Sequence, residues 1–229
     1  MTAVRATPEV TAPVEDYLKV IFELENISPG GVAGTNEIAA ELGFAPASVS
    51  GMVRRLAEQG LITHERYRGV RLTKAGRRAA LRTIRRHRVI EAYLTTALGY
   101  PWDRVHDEAE RLEHAASDEL IDRMAAAIGE PTTDPHGAPI PDRDGTLAED
   151  PPLVSLDQVA AGGRALVDRV SDRDPEQLRY LAEIGITPGR TVHVLARAPF
   201  DGPIELRIGR ATRSIGPALA KQILVTLLS

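Results

Sequence analysis

The sequence of 229 residues contains no cysteine, no long apolar run and no leader-like start. Without cysteine the chain can form neither disulfides nor thiolate zinc sites, and its composition fits a reducing compartment. No stretch approaches the roughly 20 apolar residues that a membrane span requires. The first residues also lack a basic segment followed by an apolar one. We therefore expect a cytoplasmic protein with no membrane partner.

Acidic residues are absent from one long stretch of the chain. The net charge of −4 argues weakly against a nucleic-acid partner, but every charged residue between Arg66 and Arg88 is basic, whereas residues 103–150 are dominated by Asp and Glu. This asymmetry favours a DNA-facing part joined to a cation-binding part. The alternative is that the arginines only keep a long helix soluble.

The segment 106–114 carries the strongest chemical signal in the sequence. At about 3.6 residues per helical turn, four of its side chains point the same way. These are His106, Glu110, Glu113 and His114. Earlier in the chain, His87 and Glu91 form another pair of imidazole and carboxylate, again four residues apart. Imidazole and carboxylate are the ligands that divalent first-row metals prefer where no thiolate is offered.

A solvated helix face with bystander histidines is the alternative interpretation of this segment. It fits poorly, because Glu108, Glu110 and Glu113 crowd together with few cations near them. Like charges at helical spacing destabilise a helix, and a bound dication would remove that repulsion. The pattern therefore favours a metal site.

The first third of the chain has the pattern of a winged helix-turn-helix. Apolar periodicity predicts a helix that starts near Pro13 and ends near Glu25, and a second helix capped by Thr35. After a turn at Gly43, a third helix runs from Pro46 to Gln59-Gly60. Two strands, Leu61–His64 and Val70–Thr73, form the wing. A generic small α+β domain is the alternative.

The rest of the chain predicts two further domains. Helices over about 74–98, 102–116 and 118–128 form a helical domain, and the Pro-rich stretch 129–152 is a linker or an extended crossing segment. Beta-like runs at 164–170, 191–198, 204–208 and 223–227 predict a small β-barrel. The fold class is mainly α with small β parts, with domains at 1–75, 76–143 and 153–229 and a linker at 144–152.

The third helix would read DNA. Its first turns offer small side chains, so recognition would depend on van der Waals contact, water and DNA shape rather than on bidentate base contacts. Arginines there and in the wing would bind phosphates. The predicted DNA-binding residues are Ala47, Ser48, Ser50, Gly51, Arg54, Arg55, Arg66 and Arg68. The alternative is that the serines are ordinary polar residues of an early helix.

These features resemble the diphtheria toxin repressor family of metal-dependent transcriptional regulators, and the match covers nearly the whole chain. The order and spacing of the motifs carry the resemblance. They are Glu15-Asp16-Tyr17-Leu18, the winged helix to Gly76-Arg77, His87-x3-Glu91, Val105–Ala109, Glu113-His114, Pro135–Pro141, and Ile184-Gly185-Ile186-x-Pro188-Gly189. The resemblance implies a Src-homology-3-like fold for the barrel.

The resemblance also implies two metal sites per protomer. The primary site would use Asp16, Glu110, Glu113 and His114. The ancillary site would use His87, Glu91 and His106, with Asp174 and Gln177 supplied by the barrel.

Two positions indicate which metal the chain senses. Iron-responsive members of the family have Met where this chain has Asp16 and Cys where it has Glu110, and hard carboxylates shift the preference toward manganese(II). Lys19 stands where short manganese regulators have Glu, which favours two separate sites over a bridged pair. The resemblance therefore implies the manganese-responsive branch of the family.

The function implied is a manganese(II)-activated homodimeric repressor that binds double-stranded operator DNA and controls metal-uptake genes, with up to two ions per protomer. Iron(II), cobalt(II) or zinc(II) could substitute for manganese, and no small organic substrate is expected. An iron(II)-responsive repressor is the alternative. A metallohydrolase is a further one, but no separate acid–base or nucleophile constellation is visible.

Overall fold

The computed structural model describes residues 11–28, 30–65, 68–148 and 152–228. They form two compact units. The first contains the described residues up to Arg85 together with Pro141–Thr146, and the second contains Arg86–Ile140 and the residues from Leu147 onward. No helix in the described ranges is long and apolar enough to cross a membrane.

The first unit is a winged helix-turn-helix, as predicted. Its elements are α1 (Ala12–Ile27), α2 (Thr35–Leu42), α3 (Pro46–Glu58), the antiparallel strands β1 (Ile62–Glu65) and β2 (Gly69–Leu72), and the start of α4 (Lys74–Leu98). One cap differs from the sequence prediction. Gly34, not Thr35, caps α2, and its backbone N–H donates to Glu37 Oε2 at 2.8 Å.

Glu25 at the end of α1 fixes the wing and the start of α4. Its buried carboxylate accepts hydrogen bonds from the backbone N–H of Leu72 at 2.6 Å and from Nη2 of Arg77 at 2.7 Å. A Cβ atom at Gly76 would lie 1.9 Å from Leu61 O, so only glycine allows α4 to pass this close to the wing.

The helical part of the second unit is built on the later turns of α4. Here α5 (Val105–Leu112) and α6 (Asp118–Ala127) pack around Ile90, Val105 and Ile121, which are all buried. The predicted helix over 102–116 is shorter, so that Glu113 is the C-cap of α5 and His114 follows it. The Pro-rich stretch, interpreted as a linker or an extended crossing segment, is ordered against α4 over residues 131–140, where Arg88 Nη1 donates to Pro139 O at 2.5 Å.

The C-terminal part of the second unit is the predicted β-barrel. Its six strands pair antiparallel in the order β3-β8-β4-β5-β6-β7. The elements are β3 (Val154–Ser155), β4 (Arg164–Val170), α7 (Pro175–Ile184), β5 (Thr191–Arg197), β6 (Ile204–Ile208), β7 (Ala211–Ile215), α8 (Pro217–Ala220) and β8 (Ile223–Leu228). The sequence analysis missed β3, α7, β7 and α8.

A close backbone contact joins the barrel to the segment before it. Val170 N donates to His136 O at 3.0 Å, and a Cβ atom at Gly137 would lie 1.9 Å from Asp168 O. The glycine therefore lets residues 134–138 lie directly on β4, which brings His136 and the residues that follow β4 toward α4.

Candidate metal centre

Three elements of the second unit deliver four ligand atoms to one point. The i, i+4 spacing on α4 aligns His87 with Glu91, α5 presents His106, and the segment after β4 presents Asp172. The four converging atoms are His87 Nε2, Glu91 Oε1, His106 Nδ1 and Asp172 Oδ2.

The separations of these atoms suit one small cation. His87 Nε2 lies 3.1 Å from Glu91 Oε1 and 3.2 Å from His106 Nδ1. His106 Nδ1 lies 3.5 Å from both Glu91 Oε1 and Asp172 Oδ2. Ligand atoms bound at about 2.0–2.2 Å to one ion are about 3–3.5 Å apart. The donor set is nitrogen and oxygen only, which suits manganese, iron(II), cobalt or zinc.

Glu91 is the residue whose surroundings most require a cation. Its side chain is 0% exposed, and neither carboxylate oxygen has a hydrogen-bond partner in good geometry. Burial raises the pKa of Glu91, but the neighbouring imidazoles of His106, His136 and His87 lower it well below its ordinary value. A buried carboxylate that stays ionised without hydrogen bonds is costly unless a positive charge lies beside it.

In the metal-free chain protons on the histidines supply that positive charge. Burial opposes a charged His106, but Asp172 and Glu91 together raise its pKa to about 10. The pKa of Asp172 falls to about 2, because His106 outweighs burial. A metal ion bound here would replace these protons, since a ligating imidazole must offer a lone pair.

His87 connects this cluster to a second group of predicted ligands. Its Nδ1 lies 2.5 Å from Glu113 Oε2 and 3.7 Å from Glu110 Oε1. The other oxygen of Glu113, which is fully buried, lies 3.5 Å from His114 Nε2. Donation from His87 Nδ1–H to Glu113 fixes the ring so that Nε2 faces the first cluster, which is the usual support of a metal-binding histidine.

His136 and Asp134 extend the site, and the sequence analysis did not select them. Nε2 of His136 lies 2.8 Å from Trp102 O, which can only accept, so Nε2 carries the hydrogen. The buried Nδ1 is left without a hydrogen-bond partner and lies 3.8 Å from Glu91 Oε2. Asp134 completes this group, and its Oδ1 accepts the backbone N–H groups of His136 and Ala138.

The structure places the two ligands expected from the barrel, Asp174 and Gln177, at the start of α7. Asp174 caps α7, and its carboxylate accepts the backbone N–H groups of Glu176 and Gln177 and the side-chain amide of Gln177. These bonds lower the pKa of Asp174. It belongs to none of the clusters of potential ligands found among the described residues. Asp172, two residues earlier, lies beside His106 instead.

Comparison with known proteins gives three matching sequence profiles along the chain. They are described as the N-terminal DNA-binding domain of iron-dependent repressors over residues 9–70, the metal-binding and dimerisation domain of iron-dependent repressors over 73–142, and the FeoA domain over 154–227. The iron-dependent repressor IdeR of Mycobacterium tuberculosis is 32% identical over 201 residues, which are 81% of this chain and 85% of that protein. The chain belongs to the diphtheria toxin repressor family.

Solved structures of manganese-dependent repressors resemble this fold. A manganese-dependent transcriptional repressor in complex with manganese is 45% identical, has a TM-score of 0.87, and covers 93% of this chain and 99% of its own. ScaR with bound Cd²⁺ is 30% identical, with a TM-score of 0.80 and coverage of 93% and 99%. The predicted family and fold class are thus confirmed for this diphtheria toxin repressor relative.

As expected for the family, the second helix of the helix-turn-helix is exposed. On α3, Val49 and Val53 are buried, while the side chains predicted to face DNA are all solvent-accessible. They are Ala47, Ser48, Ser50, Gly51, Arg54 and Arg55. In the wing, Arg68 is exposed and pairs with Glu65 at 3.2 Å, and Arg66 lies outside the described residues.

Asp16, the remaining predicted ligand, is a half-buried residue of α1 in the first unit. Its partners in the proposed primary site, Glu110, Glu113 and His114, lie at the end of α5 in the second unit.

Proposed function

We propose that this chain is a manganese(II)-activated DNA-binding repressor that acts as a homodimer and controls metal-uptake genes. One observation carries the proposal. Nitrogen and oxygen atoms of two buried residues, His87 and Glu91, and two half-buried ones, His106 and Asp172, converge at the spacing of ligands of one cation. No sulfur ligand is offered, and manganese is harder than iron(II), zinc or copper(I). The manganese-bound structure with 45% identity supports this choice of metal.

We also propose that each chain binds a second metal ion, because the family resemblance implies a second site. It would use Asp16, Glu110, Glu113 and His114, of which Glu113 and His114 lie 3.5 Å apart. Asp16 comes from α1, which packs on α2 of the helix-turn-helix, so an ion bound by all four residues would make the presentation of α3 depend on metal. Binding energy that selects one arrangement from an ensemble is sufficient for such control.

Small exposed residues on α3 support the DNA-binding role. Gly51 lies inside the helix, where glycine destabilises by about 1 kcal/mol relative to alanine. A Cβ atom added there would meet nothing within 4 Å, so packing inside the protein does not require a glycine. A close approach by DNA would explain it, with Arg54 and Arg55 positioned for phosphates.

A homodimer is proposed from the matched dimerisation domain and from the exposed apolar side chains in it. Leu98 is 58% exposed, Leu112 41% and Leu120 49%. Exposed apolar side chains of this size, grouped in one domain, are typical of an interface between protein chains.

The test is a titration of DNA binding with manganese, iron(II), cobalt and zinc, on a DNA fragment selected by the manganese-loaded chain. We expect manganese to increase DNA affinity at least about tenfold, the scale of an allosteric coupling. Glu113→Ala and Asp16→Ala should remove this increase. Asp107→Ala, an exposed acidic residue on α5, is the control that should keep it.

Two outcomes would redirect the proposal. Activation by iron(II) but not by manganese would favour the iron-responsive alternative, for which the 32% identity to IdeR is the supporting observation. DNA affinity that does not change with any metal would contradict metal control altogether. The metallohydrolase alternative is not supported, because the two matched repressor domains and the relative IdeR point to a transcriptional repressor.

A further inference from the structure

The outer face of the barrel sheet places three basic residues side by side. The register pairs Arg164 on β4 with His193 on β5, and His193 with Arg207 on β6. Their neighbours along the strands, Ala165 and Val192, face the barrel core. Directly opposed side chains on neighbouring strands have Cβ atoms about 4.5–5.5 Å apart, and like charges so placed destabilise a sheet.

This row opens into a concave pocket at the end of the strands. The cavity has a volume of about 620 Å³ and is lined by Arg164 and His193 together with Arg190 and Arg213. The only carboxylate in the lining is that of Glu183, near the end of α7. The volume is in the range of small-molecule sites, roughly 300–1,000 Å³.

The arginines around the pocket have no anionic partner. Among the residues that the structure describes, none of the four arginines has a carboxylate oxygen within 4 Å; they are Arg164, Arg190, Arg207 and Arg213. All four are exposed. By contrast, Arg179 on the same barrel pairs with Asp103 at 3.1 Å.

The electrostatic effect of this cluster is visible at His193. Arg207 Nη2 lies 3.4 Å from His193 Nδ1. Desolvation lowers the pKa of His193, and repulsion from Arg207 and Arg164 lowers it further. The pocket is therefore a place of positive potential, because its guanidinium groups outnumber Glu183, the one carboxylate among its lining residues.

We propose that this pocket binds a small, multiply charged oxyanion of the phosphate class. Guanidinium forks match the geometry of phosphate oxygens and bind them with two parallel hydrogen bonds. The concave shape suits a compact anion better than a continuous phosphodiester backbone, because only a compact anion can be surrounded by the lining residues. The site shares no residue with the metal cluster and does not depend on the proposed function.

Calorimetric titration of the metal-free full chain with pyrophosphate tests the proposal, because metal-free protein avoids complexes between manganese and the probe. We expect one saturable site per chain. The double variant Arg164→Gln/Arg213→Gln should weaken binding at least about tenfold, because each arginine supplies charge-assisted hydrogen bonds. The matched control Arg123→Gln/Lys221→Gln removes the same charge elsewhere on the surface and should change affinity less than about twofold. Circular dichroism checks that both variants fold.

The imidazole of His193 gives a second measurement that a general charge effect would not reproduce. Bound anion should raise the pKa of His193, followed by NMR, toward or above its ordinary value, because negative charge stabilises the imidazolium form. The proposal fails if pyrophosphate shows no saturable binding at millimolar concentration, or if the control variant loses as much affinity as the pocket variant. It also fails if random duplex DNA, and not pyrophosphate, binds in a manner that depends on Arg164 and Arg213, since the occupant would then be a DNA backbone.

Discussion

The metal cluster of the second unit and the α3 surface of the first unit use opposite physical strategies. In the cluster, Glu91 is 0% exposed and His87 is 4% exposed, so the charge of Glu91 must be balanced locally. On α3, Ser48 and Gly51 are exposed and small. Low dielectric surroundings make a substitution of the buried groups in the cluster energetically costly, whereas the α3 surface is proposed to recognise DNA mainly through its shape.

This difference predicts an order of sensitivity to substitution. Changes in the cluster should alter metal binding by orders of magnitude, because an unmatched buried charge cannot be hydrated. Changes on α3 should alter DNA affinity by smaller factors and leave metal binding untouched. The following predictions test that order, from the largest expected effect to the smallest.

Substitution of Glu91 should have the largest effect. In Glu91→Ala we expect one metal ion per chain to be lost, with affinity at the cluster reduced at least about a hundredfold, because the fully buried carboxylate lies 3.1 Å from His87 Nε2 and is central to the site. Metal counting by calorimetry measures this. The control is Glu119→Ala, an exposed residue of α6 paired with Arg123. Unchanged stoichiometry in Glu91→Ala would show that the cluster holds no ion.

Metal affinity at the cluster should rise with pH. The pKa of His106 is raised to about 10, so this imidazole is protonated at pH 7 in the metal-free chain and must release its proton when metal binds. Below that pKa the apparent affinity should therefore increase about tenfold per pH unit for one displaced proton. Calorimetry in buffers of different ionisation enthalpy measures the protons released. Release of no proton near pH 7 would contradict the role of His106 as a ligand.

Asp172 and Asp174 give a paired test of the barrel's contribution. Asp172→Asn should lower metal affinity about 10–100-fold, because Asp172 Oδ2 lies 3.5 Å from His106 Nδ1. Asp174→Asn should leave metal affinity unchanged, since that carboxylate already accepts the backbone N–H groups at the start of α7. Loss of affinity in Asp174→Asn alone would restore the ligand set that the resemblance implied.

The sequence predicted the parts of the site that follow from local periodicity. The bounds of α4 agree with the structure, and the alignment of His87 with Glu91 follows from helical spacing alone. Asp172 and His136 reach the cluster only through tertiary contacts, such as the backbone hydrogen bond from Val170 to His136. No periodic pattern in a single sequence encodes such contacts.

The position of Asp174 has a local physical cause. The residues Asp174-Pro175-Glu176 form a helix start, in which Asp caps the helix and Pro occupies its first turn. The resemblance assigned this carboxylate to a metal, and the sequence analysis did not predict α7. The acidic residue two positions earlier, Asp172, lies beside His106 instead.

Gly51→Ala should give the smallest effect, with opposite signs for stability and for DNA binding. An added Cβ atom meets nothing within 4 Å, so the variant should be more stable by about 0.5–1 kcal/mol, because alanine favours the helix. The same methyl group would stand between α3 and DNA, and we expect DNA affinity in the presence of manganese to fall by about 3–10-fold, within the range for loss of one close contact. Urea unfolding and fluorescence anisotropy measure the two quantities. Arg123→Ala on the exposed face of α6 is the control for DNA affinity. If Gly51→Ala gained stability and kept its DNA affinity, the surface of α3 around Gly51 would not approach DNA. The α3 surface would then not recognise DNA through its shape, in contrast to what is proposed above.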